Sequence, residues 1–226
     1  MPTKVRHICS IHLLLIALFV LAGCAPKAKM LDAHALQSVD SITVAKSGCP
    51  PLLKETIGSQ TAAITGSMFG AIGGGIGGGI SQKMMHDNGK KVQEACGLPD
   101  LAQLMLDNFA DRAPNELSPW PAMNVESAPL DPKNLPAGRP VLLISVNSIT
   151  LKNGRGLLVS TTARLTDGEN VLWQKQYQYA SADHGRPGKL AELEASGGQS
   201  LKDEFLFAAE KTVTDFLGHL SGNNKS

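Results

Sequence analysis

Between Glu55 and Lys83 the chain carries no charged residue. Inside that stretch runs Gly66-Ser67-Met68-Phe69-Gly70-Ala71-Ile72-Gly73-Gly74-Gly75-Ile76-Gly77-Gly78-Gly79-Ile80. Each glycine costs about 1 kcal/mol relative to alanine in a helix interior, so a lone helix here loses in water. Yet Gly66, Gly70, Gly74 and Gly78 recur every four residues, Gly58 and Ala62 carry the phase back, and Ile72, Ile76 and Ile80 repeat at the same interval. On a helix such positions line one face, where missing side chains let a second backbone approach closely. Two readings stand: a flexible glycine loop, or a helix that persists through close packing or a low-dielectric surround. The regular isoleucines favour the helix. A third reading is a helical hairpin, its tip in the glycines and its base closed by Cys49 and Cys96.

The N-terminus decides the compartment. Lys4, Arg6 and His7 precede an uninterrupted apolar run from Leu13 to Gly23. That run is too short to span a bilayer, which takes about 20 residues, and reads as a processing segment over residues 1–23. It ends in Leu21-Ala22-Gly23-Cys24, which resembles the lipobox of bacterial lipoproteins. The resemblance implies diacylglyceryl transfer to the Cys24 thiol, cleavage before Cys24 and N-acylation of the new terminus. Two or more acyl chains make anchoring stable where one does not. In Gram-negative lipoproteins an Asp after the cysteine signals inner-membrane retention. Ala25 stands here, which implies the outer membrane with the body facing the periplasm. The four-residue glycine phase resembles the glycine zipper of small outer-membrane lipoproteins of the 17-kDa surface antigen type, over roughly residues 57–80. It lacks their second Gly-rich span.

Export agrees with cysteine usage. Cys9 leaves with the signal and Cys24 is lipidated, so Cys49 and Cys96 remain as an even pair suited to a disulfide in an oxidising compartment. A pairing with another chain stays open. Lys plus Arg is 21 against 20 Asp plus Glu, which excludes the basic excess of a nucleic-acid binder.

The organisation expected along the chain is a lipidated tether over 24–48, a glycine-zipper helical segment or hairpin over 49–96, and an α+β periplasmic domain over 97–226. In the last part, Leu101, Leu104, Met105 and Phe109 mark a helix that Ala113-Pro114 should end. A proline-punctuated connection follows, with a short edge strand at Met123 to Glu126. Val141 to Leu151, Leu157 to Thr166 and Val171 to Tyr179 read as strands, joined by the turn signals Asn153-Gly154 and Asp167-Gly168. A short helix falls near Lys189 to Ala195. Leu201, Phe205, Ala208, Ala209, Thr212, Val213, Phe216, Leu217 and Leu220 have the spacing of a long helix. The expected fold class is therefore α+β: a helical glycine-zipper segment followed by a small antiparallel meander packed by a long C-terminal helix. That element order looks like the α+β domains of periplasmic accessory lipoproteins, such as penicillin-binding-protein activators and the curli-secretion lipoprotein.

The search for catalytic chemistry is negative. Gly73, Gly75 and Gly78 match a dinucleotide fingerprint only because the run is so rich in glycine, and no strand pattern precedes them. There is no Gly-x-Ser-x-Gly elbow. The histidines left after cleavage, His34, His86, His184 and His219, have no metal-ligand spacing. The adjacent pairs His86/Asp87 and Asp183/His184 point apart on any regular element and read as surface residues. Glu192/Glu194 and Asp203/Glu204 read as solubilising charge on helices. Trp173, Tyr177 and Tyr179 share one strand face, read as a sheet-helix core or as an exposed platform for a ligand. No metal and no cofactor is expected. The expected role is non-enzymatic: an envelope interaction or assembly module, contacting the bilayer through Cys24 and another envelope protein or a second copy, with Gly58, Gly66, Gly70, Gly74 and Gly78 as helix-packing positions. The alternative is a periplasmic binder of a glycan or lipid.

Overall fold

The computed structural model describes residues 39–48, 51, 53–56, 90, 92–117, 121–135, 138–189, 192–193 and 198–221. Cys24, Cys49 and the glycines 58, 66, 70, 74 and 78 lie outside that set, so the disulfide and helix-packing expectations fall on residues it does not describe.

The expected fold class is corrected. The described chain is built on a six-stranded mixed sheet rather than a helical segment followed by a small meander. The strands are β1 (Ser41–Ser47), β2 (Leu53–Thr56), β3 (Ala122–Leu130), β4 (Pro140–Lys152), β5 (Gly156–Asp167) and β6 (Asn170–Ala180), with helices α1 (Leu101–Glu116) and α2 (Gln199–Leu220). The spatial order is β3-β1-β4-β5-β6, and β2 also pairs with β4. β4, β5 and β6 are successive antiparallel hairpins, in which Leu151 faces Leu157 and Val159 faces Tyr179. β1 lies in the stretch expected as tether, but it runs parallel to β3 on one side and β4 on the other, with Val44 opposite Val125 and Leu142. β2 falls in the stretch read as helical, yet it continues the same row along β4, with Leu53 opposite Ile149 and Thr56 opposite Lys152.

β1 and β2 thus act as one interrupted strand. β1 ends at Ser47 and β2 begins at Leu53, and the sequence between them holds Pro50 and Pro51, which bring no N–H for a ladder. Parallel strands need a crossover, and α1 supplies it between β2 and β3. On the other face Leu130 and Leu135 pack on Ala45, Val141 and Leu143. The edge strand expected over Met123 to Glu126 is nine residues long.

The helices cover the remaining apolar face. α2 buries each position expected of it, from Leu201 to Leu220, and Glu204 in addition. Phe109, Phe205 and Phe216 are fully buried between helices and sheet, each such burial stabilising by about 1.5–3 kcal/mol. α1 starts at Asp100, whose side chain accepts from Ala102 N and Gln103 N and pairs with Lys46 at 2.8 Å. The helix continues through Pro114 to Glu116 rather than stopping at Ala113. Pro114 lies in the last turn, so only one backbone donor is lost. Gly198 precedes α2 with φ +88, and a Cβ there would lie 2.5 Å from Cys96 Sγ.

Candidate functional site at one end of the sheet

The register gives the sheet two distinct ends. The chain enters beside Ser41, next to Ala122 and near the Asp167–Asn170 turn. It leaves β2 at Thr56, level with Lys152 and Gly156 at the β4–β5 turn. About twelve residue steps of roughly 3.3 Å put these ends about 40 Å apart.

At the exit end, the 181–188 loop folds over the β4–β5 turn. Ser181 is fully buried, its hydroxyl accepting from Leu157 N at 2.9 Å. Ala182 N donates to Arg155 O at 3.2 Å. Gly156 has φ +72, and a Cβ there would sit 2.3 Å from Pro187 O and 2.7 Å from Ser181 Cβ. Only glycine fits beneath this loop. Arg155 and Asp183 pair at 2.7 Å, about half exposed, a contact contributing at most about 1 kcal/mol.

The loop delivers Arg186, and β6 delivers Tyr179, onto the first turns of α2. Arg186 Nε donates to Glu204 Oε2 at 3.0 Å, and the Tyr179 hydroxyl donates to Glu204 Oε1. Glu204 is 0% exposed and Arg186 about one-third exposed. Both carboxylate oxygens are therefore occupied, as a buried carboxylate requires. The Arg186 guanidinium carbon lies 4.7 Å from the Phe207 ring centroid. His184 stacks on Tyr179, centroids 5.1 Å apart at 11°, and meets Phe207 edge-on at 6.2 Å. Burial, reinforced by Glu204, pushes the Tyr179 hydroxyl well above its ordinary range. It keeps its proton and remains a donor. Tyr177 is raised chiefly by burial and secondly by Asp215. Its ring packs against Phe216 and His219, and its hydroxyl is buried with no hydrogen-bond partner among the described residues.

The aromatic residues expected as a ligand platform are buried: Trp173 is 3%, Tyr177 8% and Tyr179 4% exposed. They point between sheet and helices, so no open ring face is offered there. Cys96 is buried at 6%. Asp183 and His184 turn to different partners. His219 Nδ1 contacts Asp215 O at 2.6 Å. His34 and His86 lie outside the described residues. Among the described residues no group of His, Cys, Asp and Glu could hold a metal, and no helix is long and apolar enough to cross a membrane.

Glu204, expected with Asp203 as solubilising charge, is instead fully buried, and Arg186 was given no role from the sequence. Glu204 falls between Leu201 and Ala208 at the i+3 position of the inward stripe, a signal that was legible. Arg186 had none, because a loop has no periodicity. Chemically, the arrangement offers a guanidinium held at one edge and one face. Each oxygen of the Glu204 carboxylate is already engaged by a donor.

No protein-family model matches the chain, and no curated protein does. Among solved structures, a Xanthomonas campestris protein of family model DUF330 is similar at 14% identity and TM-score 0.40, covering 88% of this chain and 95% of that one. A Caulobacter crescentus protein described as a candidate lipoprotein shares 18% identity at TM-score 0.27, over 58% and 97%. Lipoprotein GNA1162 of Neisseria meningitidis shares 17% at TM-score 0.19, over 78% and 97%. Likenesses this distant carry no argument about activity.

Proposed function

We propose that the protein is a lipid-anchored envelope protein whose folded body is a non-enzymatic interaction module. The observation that carries this reading is the order of a basic start, an apolar run and Leu21-Ala22-Gly23-Cys24. An acylated Cys24 would precede the first described strand by a short tether, and the body enters its sheet at the end remote from the Arg186 cluster. Anchored by Cys24 at the outer membrane and facing the periplasm, the module supports envelope assembly or transport by holding a protein partner at that remote end. Glu204, the one buried carboxylate among the described residues, is tied to Tyr179 and Arg186, which suits a rigid docking element better than an acid-base catalyst.

Metabolic labelling with an alkyne fatty acid tests the anchor. The wild-type chain should take up label and fractionate with outer membranes. Cys24→Ser should lose both the label and the membrane association. An unlabelled, soluble wild-type product would end the proposal.

A further inference from the structure

We propose that Arg186 is a recognition residue for a carboxylate on a protein partner, flanked there by an apolar side chain. The inference builds on the docking role proposed above for the remote end. It rests on how the guanidinium is held. Arginine has five N–H donors in a fixed fork. The Nε donor is engaged by Glu204 Oε2 at 3.0 Å. The second oxygen of Glu204 already accepts from Tyr179. One face of the guanidinium lies over Phe207. A buried acid at one edge and a ring beneath one face fix its plane, while its partial exposure keeps it within reach of a ligand. Two Nη groups match the two oxygens of a carboxylate in the fork-to-fork geometry that makes such pairs strong.

Charge selects carboxylate over phosphate. Glu204 already offsets the charge of Arg186, and the neighbouring cation Arg155 is engaged by Asp183. A carboxylate adds one net negative charge to this neutral pair and a phosphate dianion adds two, so the carboxylate is the less costly guest. The apolar flank is also present. Phe207 is partly exposed beside the guanidinium. A carboxylate beside an apolar group therefore meets a donor fork beside a ring.

Benzoate is the probe, with phenyl phosphate as the competing chemistry. The experiment follows the Arg186 Nε–H and His184 ring resonances of the full-length protein in detergent micelles. Benzoate should shift both saturably. Phenyl phosphate should bind no more tightly. Arg186→Lys keeps the charge but loses the fork, so affinity should fall about tenfold, while Arg155→Lys should leave it unchanged. If Arg186→Lys fails to fold by near-ultraviolet circular dichroism, Phe207→Leu replaces it and should weaken binding severalfold while leaving the guanidinium in place. Shifts that grow linearly without saturating, equal affinity in these variants, or tighter binding of phenyl phosphate would each overturn the proposal. The assay does not depend on acylation, so Cys24→Ser should bind benzoate like wild type. Failure of the anchor and failure of this site are therefore distinguishable.

Discussion

Glu204 shows what a single residue can hide in a sequence. Beside Asp203 it reads as surface charge, but the helical spacing that turns Leu201 and Phe205 inward turns Glu204 inward too. What the sequence could not show was its partners, because Tyr179 and Arg186 come from a strand and a loop remote in the chain. Tyr179→Phe should remove a hydrogen bond to a charged acceptor and cost about 1.5–3 kcal/mol in urea unfolding; an unchanged midpoint would mean that the hydroxyl contributes nothing. The two tyrosines of the chain, Tyr177 and Tyr179, both have their ionisation pushed upward by the fold. Their contribution to stability is therefore complete below the unfolded tyrosine pKa of about 10 and is lost as pH rises above it. Absorbance at 295 nm should show tyrosinate forming only together with cooperative unfolding. Gradual ionisation near pH 10 with intact circular dichroism would contradict the burial described. Gly156→Ala should destabilise through both its positive φ and its clash with Pro187 O, lowering the melting temperature by several degrees for each kcal/mol lost.

At the scale of elements, the two hairpins were legible because local chemistry specifies them: period-two alternation and Asn-Gly or Asp-Gly turns. β1 and β2 were not. Ser41-Ile42-Thr43-Val44 alternates correctly, but a short run next to Pro50 and Pro51 gains strand character only from β3 and β4, which lie some eighty and a hundred residues on. Parallel pairing leaves no local turn signal. The same long reach joins β1 to α1, where Lys46 is 12% exposed against Asp100. Asp100→Ala should cost more than Lys46→Met. It removes the cap, worth about 1 kcal/mol, and leaves a nearly buried ammonium unpaired. Lys46→Met keeps the cap and replaces the charge with an apolar chain. Urea midpoints for the two variants test the order, and a milder Asp100→Ala would show that the pair does not help fix α1 against β1.

The whole molecule is polar in the geometric sense. Fourteen residues lie between Cys24 and Val39, where the described body begins. Covalent geometry limits their reach to about 55 Å, little more than the length of the sheet. An anchor at Cys24 would therefore tie the Ser41 and Asp167–Asn170 end directly to the bilayer, and the Arg186 end only through the length of the sheet. This orientation follows from the register of β1 and β2 on β4. An antiparallel β1 would reverse it. A photo-crosslinking residue at Glu169, exposed on the near turn, should give mostly lipid adducts in native envelopes. One at Asn153, on the far turn, should give mostly protein adducts. The same contrast should vanish in Cys24→Ser, because without the anchor neither end has a reason to face the bilayer. Equal lipid labelling from both positions in the acylated protein would mean that the body lies flat along the membrane, and the far end would then lose its claim to be the surface held out to a partner.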